Sequence, residues 1–205
     1  MNKVSVGELN KKLKECEIGI DYETIKSTPF LGVFHYHEWD HGYETTYGFN
    51  GSRREFYADM REMTKFLINY FNVNDVEDVI VAPFHNYRQF DERYYNSFEM
   101  PGKDIFDEIR LFLRNYGIRK GERSGIHLSF RRNMDILEML LEGSFRGVSN
   151  LCFFVLEQRV LIEPNHHFDL VFRARDFDTL KSEILNLLPI HPNLRYFDMT
   201  TKKEF

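Results

Sequence analysis

Leu151-Cys152-Phe153-Phe154-Val155-Leu156 is an unbroken run of six apolar residues. It is too short for a buried helix and has the length of a strand. Successive strand side chains point to opposite faces, so a strand apolar at every position needs cover on both sides and belongs at the centre of a sheet. The fold is therefore expected to be a layered structure built around this segment.

Helical periodicity supplies the covering elements. Ser5 and Glu8 have capping-box spacing, and Val6, Leu9, Leu13 and Cys16 follow as one stripe. Ser52 and Glu55 repeat the box before a long helix whose inner face is Phe56, Met60, Met63, Leu67 and Tyr70 or Phe71. A third helix is expected from about Lys103 to Tyr116, with Gly117 as its stop. Asn133 is a candidate cap for a fourth helix carrying Ile136, Leu137, Leu140 and Leu141, and Asp178 for a fifth carrying Leu180, Ile184 and Leu187 or Leu188. Pro189 and Pro192 then block continuation.

Strand patterns lie between these helices. Phe30–His37 and Tyr43–Phe49 flank Asp40-His41-Gly42 as a hairpin. Val79–Phe84 is short and apolar, and Ile126, Leu128 and Phe130 alternate with His127 and Ser129. Arg159–Glu163, His167–Arg173 and Leu194–Met199 complete the set. The expected order is α-ββ-α-β-α-β-α-βββ-α-β, an α+β fold with a mixed sheet and helices packed on it. The middle β-α-β-α-β stretch is expected to be a parallel core. The 205 residues contain no linker-like stretch or fixed repeat, and a single domain over 1–205 is the simplest division.

Several classes are excluded as expectations. No apolar run reaches spanning length, so no membrane segment is expected. The Lys-rich start lacks an apolar core for a secretory signal, which points to a cytoplasmic protein. Cys16 and Cys152 are too few for a disulfide framework and read as reduced, with Cys152 in the core.

Three sets of residues are chemical candidates. In the first, His35 and His37 share one strand face, and Glu44 from the partner strand adds a third possible metal ligand. The His-x-His step is similar to the metal motif of cupins, but the later Gly-x-x-His-x-x-x-Asn of that family does not follow. The second is His127-Leu128-Ser129, a step that resembles half of the two-histidine phosphoesterase pair. The matching hydroxyl is missing after His35, His85 and His167, so the catalytic pair His127 and Ser129 stands alone. No Gly-x-Ser-x-Gly elbow, phosphate-binding P-loop or dinucleotide loop occurs, and no cofactor is expected.

The third is electrostatic. The net charge is −5. From Asp75 to Glu108 nine acidic residues oppose three basic ones, whereas from Arg110 to Arg132 seven basic residues oppose Glu122 alone. Arg119, Lys120, Arg123, Arg131 and Arg132 form a candidate anion-binding set around a glycine-containing loop. Between Arg53 and Met199 there are 16 Arg but four Lys, among many of the 20 Phe and 11 Tyr. Arg and aromatic side chains are enriched in interface cores. The leading expectation is a non-enzymatic regulatory protein that binds another protein, of the immunity- or antitoxin-like inhibitor class. The alternatives are an enzyme or binding protein for a phosphorylated or nucleic-acid ligand at the Arg119–Arg132 region, and a metal-binding histidine hairpin.

Overall fold

The computed structural model describes residues 1–17, 30–35, 53–83, 103–119, 122–147, 149, 151–165, 168–198 and 203–204. The expected hairpin partner Tyr43–Phe49 and its turn lie outside them. Five α-helices are described: α1 (Val6–Glu15), α2 (Arg53–Val73), α3 (Lys103–Asn115), α4 (Met134–Phe145) and α5 (Phe177–Leu187). The strands are β1 (Asn2–Val4), β2 (Phe30–His35), β3 (Asp78–Pro83), β4 (Gly125–Ser129), β5 (Leu151–Val155), β6 (Val160–Asn165), β7 (Asp169–Ala174), β8 (Leu194–Asp198) and β9 (Lys203–Glu204). They form one sheet in the order β1-β4-β3-β5-β6-β7-β2-β8-β9.

Strand β5 is buried at every position, as its composition requires. Alternate residues along the central strands serve opposite faces. Val79, Val81, Leu128, Phe153, Ile162 and Phe172 share a core with helices α2 to α5. On the other face Ile80, Ala82, Cys152, Phe154 and Leu161 meet Leu9 and Leu13 of α1. The Ser5–Glu8 capping box that starts α1 is formed in both directions.

The α+β class and the alternation of helices and strands match expectation, but a parallel middle does not form. Strand β3 lies between β4 and β5 and pairs antiparallel with both. Strands β4 and β5 do run the same way, joined across α4, but with β3 inserted between them they never pair. Every other described pairing is also antiparallel, so the sheet is not mixed. Local periodicity specifies a β-α-β crossover but not whether another strand occupies its gap.

Two caps also differ from expectation. Asp176, not Asp178, caps α5 by accepting from the Thr179 backbone N–H at 3.1 Å. Asn133 precedes α4, but its side chain donates to the Ser129 carbonyl at 2.7 Å instead of capping.

The helix layer carries a buried ionic clamp. Arg146, 5% exposed, follows α4 and reaches Asp104 of α3 at 2.9 Å and Glu142 of α4 at 2.8 Å. Tyr57 of α2 donates to the same Glu142 carboxylate at 2.8 Å, so one cation ties three helices together. Removing one partner of such a cluster leaves a buried charge uncompensated. Arg146→Ala is expected to cost about 2 kcal/mol, less than for a fully buried pair because the Asp104 side chain is 63% exposed. In a chain this size that lowers Tm by roughly 4–8 °C in a thermal melt.

Candidate functional site

Strand β4 places His127 and Ser129 on the same face, both half-buried. His127 Nε2 lies 3.6 Å from Asp78 Oδ2 on the neighbouring β3, and both side chains are more than two-fifths exposed. Among the described residues no hydrogen bond joins the Ser129 hydroxyl to His127 or any other group. A nucleophile needs its base within hydrogen-bond reach. The pair therefore has the geometry of a surface ion pair beside a serine.

The structure divides the basic candidates. Arg119 and Arg123 precede β4, while Arg131 and Arg132 follow it. The five-residue strand between them holds the two halves apart by about 14 Å or more. The first half already encloses an anion of its own. Glu122 accepts the Arg119 backbone N–H at 2.9 Å and the Ser124 hydroxyl at 2.8 Å, and it pairs with Lys3. The Arg119 N–H, Lys3 and Ser124 hold the Glu122 carboxyl down at about 2. In the second half Arg131 stands 4.0 Å from Asp75. Lys120 lies outside the described residues.

His35 ends β2, opposite Leu194 of β8. Its expected companions His37 and Glu44 lie outside the described residues. Among the described residues no group of three His, Cys, Asp or Glu is placed to hold a metal ion. Strands β4 and β2 are five places apart in the sheet, which separates His127 from His35 by roughly 24 Å.

A cluster of polar groups interrupts the apolar face near the sheet centre. Register sets Cys152 of β5 beside Glu163 of β6, and Glu163 beside Val171 of β7. Arg173 of β7 reaches Glu163 at 3.7 Å and lies over the Phe30 ring of β2 at 4.6 Å. Burial keeps the Cys152 thiol well above its usual range, so it remains a protonated, unreactive core group. Burial and the nearby Glu163 push the Asp169 carboxyl up to about 7, and its Oδ1 is buried without a hydrogen-bond partner. The cluster links four strands, and its thiol lacks the activation a nucleophile needs.

A different feature was not among the sequence candidates. An open cleft of about 520 Å³ runs along the outer face of α2. Arg61, Lys65 and Ile68 of α2 line one side, and Ile190 and His191, beyond the end of α5, line the other. Its size falls within the range of small ligand sites. His191 is buried, packs edge-on against Phe66 at 5.3 Å, and sits with Nε2 3.1 Å from Asn69 Nδ2. Burial lowers its pKa, so the imidazole is neutral near pH 7. Asn69 can then donate to Nε2. Ile190 is 64% exposed at the rim. Periodicity assigned α2 by its inner face, and the solvent-side residues 61, 65 and 68 carry no motif. The helical spacing of two cations and an isoleucine was the available signal.

No protein family, curated protein or solved structure matches this chain.

Two predictions follow from these groups. Glu122 favours the fold above its ordinary carboxylate range, and that support is lost as pH falls towards 2. Glu122→Gln should remove it at neutral pH, and hydrogen exchange should rise at the β4-edge strand β1, which Lys3 anchors. Asp169 has the opposite sign. Its raised carboxyl favours the fold when protonated, so stability falls as pH rises from its ordinary value through about 7. Asp169→Asn should therefore raise Tm at pH 8 by at least about 3 °C, the effect of one kcal/mol in a chain this size. At pH 5 the gain should be smaller.

Proposed function

We propose that the chain is a non-enzymatic regulatory protein that acts in the cytoplasm by binding another protein, in the manner of immunity- or antitoxin-like inhibitors. The dispersal of its reactive groups carries this reading. His35 and His127 lie on strands five places apart in the sheet, and among the described residues His127 faces Asp78 rather than a nucleophile. Glu122 already occupies the Arg119 backbone N–H and the Ser124 hydroxyl of the basic loop. The buried Cys152 thiol is not activated. An enzyme needs convergent groups at reacting distance, whereas a binding protein needs a stable surface. The Arg-rich composition and the open cleft on α2 suit the second requirement.

Affinity capture from the native cell, followed by reconstitution with purified components, tests the proposal. The expected result is one protein recovered in a stoichiometric complex. A His35→Ala/His127→Ala double variant should fold and capture it as well as the unmodified chain. Recovery of small molecules alone, or loss of capture in the folded double variant, would overturn the reading.

A further inference from the structure

The cleft on α2 presents two cations that make no ion pair among the described residues. Arg61 and Lys65 are four residues apart on an exposed helical face, about 6 Å along the axis. Like charges at this spacing repel each other. Among the described residues neither cation has an ion-pair partner. Glu62, between them in sequence, accepts instead from Asn193 at 2.9 Å. Arg110 and Arg114 of α3 are likewise four residues apart without an ion pair among the described residues, so what distinguishes Arg61 and Lys65 is that they line a cleft. Glu62 and Asn69 also line the cleft, with Ile68 on the α2 side and the protruding Ile190 on the other as its apolar surface.

We propose that this cleft is the docking site for an acidic segment of a protein partner, taken up in extended form with one aliphatic side chain against Ile190. The inference rests on the protein-binding reading and names the surface that performs it. Charge complementarity selects the partner's sign. Alternate residues of an extended chain are about 6.8 Å apart, close to the 6 Å step between the two cations. Two carboxylates at alternate positions can therefore meet Arg61 and Lys65, while the side chain between them points away from α2, toward Ile190. A neutral His191 adds no third charge. The apolar surface of Ile68 and Ile190 favours a peptide over a phosphate backbone, which has no aliphatic group to place there.

Titration of the full chain, followed by backbone amide NMR, tests this. The probes are a blocked peptide with the core Asp-Leu-Glu-Leu-Asp, a Lys-Leu-Lys-Leu-Lys control, and inorganic phosphate. The acidic peptide should give saturable shifts centred on Arg61, Lys65, Ile68 and His191, and they should weaken as salt is raised. Arg61→Glu with Lys65→Glu should weaken binding at least about tenfold while leaving the rest of the spectrum unchanged, because both side chains are exposed. Equal shifts with the lysine peptide, or the same shifts with phosphate alone, would overturn the proposal. So would dilution-dependent shifts at these residues without peptide, which would make a second copy the occupant. A partner captured equally well by the charge-reversed variant would overturn the cleft and leave the protein-binding reading standing. Saturable peptide binding with no captured protein would instead fail the functional reading alone.

Discussion

Burial of β5 on both faces organises this molecule. A strand apolar at every position cannot lie at an edge or face water on one side. It therefore holds a central place between β3 and β6, with α2 to α5 above it and α1 below. The odd-numbered residues of β5 meet the large helix-covered core, and Cys152 and Phe154 meet the smaller cluster under α1. On this second face the apolar cover changes character within two strands. Leu161 still packs with α1, while Glu163, Asp169 and Arg173 bring charge into a buried setting. Burying these groups costs free energy that their mutual pairing offsets only in part, which is the physical reason Asp169 keeps its proton near neutrality.

What was legible in the sequence follows from which interactions are local. Helices α2 to α4 and strand β5 were assigned because 3.6-residue stripes and an unbroken apolar run directly encode burial. The α5 cap was misplaced by two residues because Asp176 and Asp178 are both able to cap, and only backbone geometry at Thr179 separates them. The sense of the sheet was not legible. The insertion of β3 between β4 and β5 is a decision made by residues 45 or more positions apart in sequence, and no local pattern records it. Strand β1 was missed because Asn2–Val4 is three residues long and is defined by its pairing to the β4 edge.

The same distinction governs the candidate site. A run of seven basic residues from Arg110 to Arg132 reads as one patch in sequence, but strand β4 divides it between two ends of the sheet. The acidic stretch that precedes it was not separate surface charge either. Antiparallel pairing of β3 with β4 sets Asp78 beside His127, and the adjoining turns set Asp75 near Arg131. Asp104 from the same acidic stretch meets Arg146. Opposed blocks along the chain thus become opposed neighbours in space, and much of the apparent asymmetry cancels within the fold.

Not every cation is cancelled in this way. Among the described residues Arg110 and Arg114 of α3 also lack an ion pair, and an exposed pair would be worth only about 0–1 kcal/mol. Arg61 and Lys65 are repeated at helical spacing without such a match. An isolated unpaired lysine carries no information, since exposed cations are well solvated. Two cations beside an exposed isoleucine and above a neutral, buried histidine form a combination with both charge and shape. Exposed Val73 and Leu111 show that a single apolar side chain in water is ordinary in this fold, so the cleft is marked by the conjunction of charge and shape and not by Ile190 alone.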